Sequence, residues 1–151
     1  MAGYSATPLI RKIGIKPGHR IHLHNNPGTF LRDLGQLPEE VKLQDRLVAD
    51  TDVMVCFVGS EADLRKQFSR LAGKLAADGM LWIAWPKRAS GRPTDLTEDV
   101  VRSIGLKAGL VDVKVCAIDE VWSGLKFVIR LKDRPMAVKG KKSDSRRLAA
   151  Q

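Results

Sequence analysis

The chain has 151 residues, of which 44% are hydrophobic, and it carries a formal net charge of +9 at pH 7. That length suits a single domain with a sizeable core. The sequence contains no run of about 18 apolar residues, which excludes an ordinary membrane-spanning helix, and its start lacks the apolar core of a secretory signal. We therefore expect a cytoplasmic protein.

Strand signals recur along the chain. Residues 19–25 alternate Ile21 and Leu23 with histidines, which predicts a strand with one buried face. The run VMVCFV over residues 53–58 is continuously apolar, which is typical of a strand buried on both faces. The other predicted strands cover residues 41–43, 81–85, 111–118 and 125–131.

Four helices are predicted between these strands. Thr7-Pro8 begins a short helix that Gly14 ends, and Thr29 caps a second one over residues 30–34. Ser60 and Asp63 form a capping box for an amphipathic helix that is expected to continue to Asp78-Gly79. The last helix is expected to start at Asp95 to Glu98 and to bury Leu96, Val100, Val101, Ile104 and Leu106.

The order of these elements indicates the fold class. Strands that alternate with helices form a mainly parallel sheet covered on both faces. The connection over residues 119–124 is too short for a crossover helix, so the last two strands form an antiparallel hairpin. We expect a Rossmann-like, doubly wound, three-layer α/β domain over residues 1–131, with five or six strands. Its order and final hairpin resemble a truncated class I methyltransferase core.

A finer resemblance rests on longer strings of residues. GYSATPLIRKIGIKPGHR, LWIAWPKRASG, TDLTEDVVR and GLVDVKVCAIDEVWSGLKFVIR, with the spacing between them, are similar to the bacterial family catalogued as domain of unknown function 3052. The match spans about residues 3–131. It implies the methyltransferase-like domain already inferred, and it brings no established activity and no catalytic residues.

The methyltransferase resemblance also implies a cofactor, and here the sequence departs from the pattern. Class I methyltransferases bind S-adenosylmethionine with a glycine-rich loop after the first strand and an acidic residue that ends the second. The corresponding segment HLHNNPGTF has Gly28 as its one glycine, and Glu39 and Glu40 are the nearby acidic candidates. These departures argue against cofactor binding in the usual manner, and S-adenosylmethionine remains an open alternative.

A candidate ligand site follows from the carboxyl ends of the strands, which meet at one edge of the sheet. A cationic loop there precedes a helix N-terminus, which predicts an anion pocket. The competing hypothesis is a solvated loop, with Asp95 capping the helix amides itself. The residues expected at this edge are Asn25, Asn26, Gly28, Thr29, Gly59, Ser60, Lys87, Arg88, Ser90, Gly91, Arg92, Thr94, Asp119, Glu120 and Trp122.

Two of these residues have competing interpretations. Ser60 fits a helix cap better than a nucleophile, because no histidine has a suitable placement beside it. Trp122 falls in the predicted polar connection, so its ring either covers the pocket and stacks on a ligand or plugs the end of the hairpin.

Histidines and cysteines give no metal signature. His22 and His24 share one strand face and could bind zinc, but no third ligand is identifiable, so we expect packed histidines. Cys56 and Cys116 each fall inside a predicted strand, without CxxC spacing, and are expected to be free thiols.

The positive charge is concentrated at the C-terminus. Residues 132–151 carry a surplus of five positive charges and few large apolar side chains, which indicates a disordered tail. The tail is either simply solvated or makes weak, non-specific contacts with nucleic acid.

Three classes of function remain open. The main hypothesis is a non-catalytic methyltransferase-like domain that binds a small anionic ligand or a protein partner at the sheet edge, because no acid/base or nucleophile constellation is visible. The second is a divergent S-adenosylmethionine-dependent methyltransferase, with Asp119 or Glu120 nearest the reacting atom. The third is a nucleic-acid-associated protein that acts through its basic tail.

Overall fold

The structure is a computed structural model, and it describes residues 7–134. The predicted disordered tail lies, from residue 135 onward, outside the described residues. The helices are α1 (Leu9–Ile13), α2 (Gly28–Leu34), α3 (Glu61–Ala72) and α4 (Glu98–Lys107). The strands are β1 (Arg20–His24), β2 (Lys42–Gln44), β3 (Thr51–Phe57), β4 (Leu75–Pro86), β5 (Leu110–Ala117) and β6 (Trp122–Ile129).

All six strands form one sheet in the order β2-β1-β3-β4-β6-β5. The first four strands in this order run parallel, and β6 pairs antiparallel with both β4 and β5. The predicted mainly parallel sheet with a terminal hairpin is therefore confirmed. Because β1, β3 and β4 are parallel neighbours, the loops that follow them lie at the same edge.

Helices cover both faces of the sheet. On one face, α3 and α4 pack against Cys56, Ile83 and Phe127, and the Phe68 and Phe127 rings meet edge to face with centroids 5.3 Å apart. On the other face, α1 and α2 cover a second cluster that includes Trp82, whose Nε1 donates a hydrogen bond to the Ile13 carbonyl at 2.9 Å. The predicted three-layer architecture is confirmed.

Two element boundaries differ from the sequence prediction. Helix α3 ends at Ala72, six residues before the predicted stop at Asp78-Gly79, because Thr51 donates its amide to the Lys74 carbonyl at 3.1 Å and draws the chain into β4. Gly79 therefore lies inside a strand, where a Cβ atom would come within 2.9 Å of the Asp52 carbonyl. Strand β6 begins at Trp122, three residues before the predicted start.

Helix caps were predicted correctly in one case. The Ser60 hydroxyl accepts a hydrogen bond from the Asp63 amide at 3.2 Å, which confirms Ser60 as the N-cap of α3. The cap predicted at Thr29 is wrong, because Pro27 occupies the N-cap position of α2, and Pro8 occupies that of α1. Helix α4 is capped by Thr97 and not by Asp95.

The cysteines lie on opposite faces of the sheet and are both free, as predicted. Cys56 is buried, and burial raises the pKa of its thiol to about 12. Cys56 is therefore an inert core residue at neutral pH. None of the helices within residues 7–134 is long and apolar enough to cross a membrane.

Candidate functional site

The loop after β1 is fastened to the end of β3. Asn25 has a left-handed backbone conformation, with φ of 60°, which asparagine tolerates better than most residues. Its side-chain amide donates a hydrogen bond to the Phe57 carbonyl at 3.4 Å. The predicted edge residues Asn25, Asn26, Gly28 and Thr29 thus lie beside Gly59 and Ser60, which follow β3.

A groove of about 390 Å³ lies between β4 and α4. Its lining residues are Arg88, Gly91, Arg92, Thr94, Asp95, Leu96 and Thr97. Four predicted site residues are among them. Lys87 and Ser90 are not among them. The Ser90 hydroxyl donates to the Lys87 carbonyl at 2.7 Å and accepts the Arg92 amide at 3.2 Å, so Ser90 stabilises the loop from within.

The wall of the groove is clamped to the start of α3. The Thr94 hydroxyl donates to the Gly59 carbonyl at 2.7 Å, and the Asp95 carboxylate accepts the Glu61 amide at 2.8 Å. The hypothesis that Asp95 caps the helix after it is therefore wrong. That role belongs to Thr97, whose hydroxyl accepts the Val100 amide at 3.2 Å.

An aromatic row lies beneath this edge. Phe57 meets Phe30 on one side and Trp122 on the other, each edge to face, with centroids 5.2 Å and 5.1 Å apart. Trp122 is only 9% exposed, and the Arg92 guanidinium lies 5.6 Å from its ring centre. The structure thus supports the plug interpretation of Trp122, with a cation–π contact as its link to the groove.

The hairpin turn is held by Asp119. Its carboxylate accepts the amides of Val121 and Trp122, both at 2.8 Å, and the Lys87 amide donates to the Val121 carbonyl at 2.7 Å. Asp119 therefore forms the turn and fastens it beside the basic loop, which is a structural task. Glu120 is exposed in the same turn.

The structure places at the carboxyl edge of the sheet an acidic side chain that the sequence prediction missed. Strand β2 ends at Gln44, one residue later than predicted, and the exposed Asp45 follows it directly. Because Gln44 lies opposite His22, Asp45 stands at the carboxyl end of β2 beside β1. Glu39 lies at the other end, where its carbonyl accepts the Gly18 amide before β1 begins. The signal that could have found Asp45 is an acidic residue about 20 positions after the first strand.

The two histidines of β1 lie on the α3 side of the sheet. His22 is only 7% exposed, and both its ring nitrogens lack a hydrogen-bond partner. Burial lowers the pKa of His22 and of His24, so both are neutral at pH 7. Within residues 7–134, no three His, Cys, Asp or Glu side chains are grouped so that they could hold a metal ion.

Comparisons with known proteins identify the fold. No family model matches the chain. No curated protein matches it by sequence. Solved structures do match, and the TehB-like S-adenosylmethionine-dependent methyltransferase of Corynebacterium glutamicum is 15% identical, with a TM-score of 0.53 over 85% of this chain and 91% of that one.

Two further structures are similar. An S-adenosylmethionine-dependent methyltransferase of Aquifex aeolicus is 14% identical, with a TM-score of 0.56 over 81% of this chain and 88% of that one. The O-methyltransferase NcsB1 from neocarzinostatin biosynthesis is 12% identical, with a TM-score of 0.57 over 75% of this chain. The match covers only 49% of the length of NcsB1. At these identities the likeness concerns the fold, and the chain has the fold of a class I methyltransferase.

Proposed function

We propose that the protein is a divergent S-adenosylmethionine-dependent methyltransferase, with the cofactor at the carboxyl ends of β1, β2 and β3 and an anionic acceptor in the neighbouring groove. The likeness to solved methyltransferases supports this function over a purely structural role. The resemblance to the domain of unknown function 3052 family is compatible with it and supplies no activity of its own.

The placement of Asp45 carries the proposal. In open α/β sheets that bind nucleotides, an acidic residue about 20 positions after the first strand accepts hydrogen bonds from the ribose hydroxyls. Asp45 has this spacing, follows the second parallel strand and is exposed at the edge where ligands of such sheets bind. A carboxylate with free oxygen atoms can accept both hydroxyl protons of a ribose.

The loops beside Asp45 leave room for the cofactor. A Cβ atom added to Gly28 or Gly59 would meet no other atom within 4 Å, so the space in front of both residues is open. Asn26 adds a side-chain amide in the same loop, and the Asn25 side-chain amide holds that loop to β3 through the Phe57 carbonyl. When bound, S-adenosylmethionine supplies an electrophilic methyl group, and the protein has to bind it, orient it and exclude water.

The groove suits an acceptor that is already negatively charged. Arg88 and Arg92 provide guanidinium groups, which bind carboxylate and phosphate with two parallel hydrogen bonds. The one carboxylate in the lining, that of Asp95, is engaged by the Glu61 amide. An anionic acceptor attacks a methyl group without losing a proton, so this chemistry needs no general base.

A second candidate is a non-catalytic domain that binds an anionic ligand or a protein partner at the same edge. The single glycine in the loop after β1 and the structural role of Asp119 favour it. It predicts that anions bind in the groove while the cofactor does not bind at all.

Calorimetric titration of the full chain with S-adenosylmethionine separates the two candidates. We expect saturable binding that Asp45→Asn weakens about tenfold, since a hydrogen bond to a charged group contributes about 1.5–3 kcal/mol. Glu39→Gln is the matched control, because it removes a carboxylate at the opposite end of β2, and it should bind like the wild type. Arg92→Gln should also leave cofactor binding unchanged.

Two results would contradict the proposal. One is the absence of heat and of a thermal shift when the wild-type protein is mixed with millimolar S-adenosylmethionine. The other is equal weakening by Asp45→Asn and Glu39→Gln, because binding would then depend on net charge and not on the position of Asp45.

A further inference from the structure

Four lysines converge on the α1 side of the terminal hairpin, far along the sheet from Asp45. Lys114 of β5 and Lys126 of β6 are directly opposite each other, and Lys126 lies opposite Trp82, which faces α1. Lys12 of α1 donates its Nζ to the Ala117 carbonyl at 3.4 Å, and Lys16 follows α1. We call Lys12, Lys16, Lys114 and Lys126 the lysine face.

The positive charges on the lysine face repel one another. Lys126 is half-buried, and its pKa is lowered first by burial and then by the positive charges of Lys114 and Lys16. None of the ion pairs found within residues 7–134 includes any of the four lysines. The face therefore concentrates positive charge, and no side chain of the described residues forms an ion pair with it.

This arrangement has an energetic cost in the free protein. Like charges directly opposite each other on neighbouring strands destabilise a sheet, and partial burial of Lys126 adds a desolvation cost. An external anion that contacts several of the lysines would remove the repulsion. The lysines come from a helix, the turn after it and two strands, so an extended polyanion can contact several of them at once.

We infer that the lysine face binds the phosphodiester backbone of nucleic acid. A backbone presents phosphates in a row, and a protein with a net charge of +9 attracts it from a distance. The exposed large hydrophobic side chains of the described residues include no aromatic ring, so stacking on bases is not expected. Binding should accordingly depend on salt and not on base sequence. This inference is independent of the proposed methyltransferase activity.

Fluorescence anisotropy with labelled oligonucleotides of about 20 nucleotides tests the inference. The full chain, with its basic tail, is titrated with single-stranded RNA and with single-stranded DNA over a series of salt concentrations. Each phosphate contact on a single strand contributes about 0.7 to the slope of log K against log salt. We expect Lys114→Gln/Lys126→Gln to reduce that slope by about 1.4 and the exposed single variant Lys16→Gln to reduce it by about 0.7.

The control variant Lys66→Gln/Lys74→Gln removes two exposed lysines from and just after α3, on the other face of the sheet, and should leave the slope within about 0.3 of wild type. Circular dichroism checks that each variant is folded, and Lys16→Gln carries the test if the double variant is not. The inference is overturned if the wild type does not bind at about 50 mM salt, if both double variants reduce the slope equally, or if the lysine-face variants leave it unchanged, which would assign binding to the tail.

Discussion

Gly105→Ala is the most informative single substitution for the packing of α4. Gly105 is buried in α4, and a Cβ atom there would lie 2.1 Å from Cε1 and 2.4 Å from Cζ of Phe127. Ordinary contacts between carbon atoms are about 3.5–4.0 Å, so the ring has to move by about 1.5 Å. The ring cannot move freely, because it is fully buried and meets Phe68 edge to face.

We expect Gly105→Ala to destabilise the protein, although helix propensity alone would predict that alanine stabilises α4. In an exposed helix, replacing glycine by alanine stabilises by up to about 1 kcal/mol. Overpacking a core costs about 1–3 kcal/mol, and a clash of this depth is at the upper end. The net expectation is a loss of about 2 kcal/mol in the free energy of unfolding, or roughly 6–10 °C in Tm for a domain of this size.

Urea unfolding, followed by circular dichroism at constant pH, measures the loss of unfolding free energy as a shift in the midpoint urea concentration, provided that the slope m is unchanged. Ser103→Ala, at an exposed position of the same helix, is the control and should be neutral or slightly stabilising. In the double variant Gly105→Ala/Phe127→Leu, the smaller side chain makes room for the methyl group, so the two changes should cost less together than the sum of their separate costs. The packing argument would be refuted if Gly105→Ala were as stable as the wild type, or if the losses of unfolding free energy in the two single variants simply added up in the double variant.

Three further predictions concern acid stability, the hairpin turn and a helix cap. The folded-state pKa of His22 lies below the unfolded value of about 6.5, so the unfolded chain binds more protons at acid pH. The free energy of unfolding therefore decreases as the pH falls below about 6.5. His22→Leu should flatten this pH dependence when it is measured by urea unfolding between about pH 7.5 and 5. Asp119→Ala should lower the free energy of unfolding by about 1–3 kcal/mol, because two turn amides lose their acceptor. Asp119→Asn keeps an acceptor oxygen and should lower it less. Equal losses for the two variants in thermal unfolding would show that the charge of Asp119 matters and not its hydrogen bonds in the turn. Ser60→Ala should lower the free energy of unfolding by about 1 kcal/mol, because the helix cap is lost. The affinity for S-adenosylmethionine, measured by titration, should not change. A variant that is as stable as the wild type but binds S-adenosylmethionine more weakly would contradict the structural role of Ser60.

The sequence was most informative where one physical signal dominated. The continuous apolar run of β3 and the short connection between β5 and β6 predicted a buried strand and an antiparallel hairpin, and both are confirmed. The end of α3 could not be predicted in the same way. The spacing of Leu71 and Leu75 continues the helical pattern, whereas the pairing of Leu75 with Thr51 is a contact between segments distant in sequence.

The candidate site shows the same limit. The sequence identified the cationic loop, and four of its predicted residues line the groove. It could not assign Asp95 to α3, because Asp95 has the right spacing to cap the helix next to it and the competing partner, the Glu61 amide, is 34 residues away. A shift of one residue in the predicted end of β2 was enough to hide Asp45, since only the pairing with β1 shows where that strand stops.

The clamp between Asp95 and Glu61 makes the first turn of α3 a reporter for the groove. The Glu61 amide donates its hydrogen bond to a carboxylate that belongs to the groove lining, not to a residue of its own helix. A ligand that draws Asp95 away exposes this amide, and a ligand that rigidifies the loop protects it further. The rate of hydrogen exchange at Glu61 therefore follows occupancy of the groove, and it does so before the chemical identity of the ligand is known.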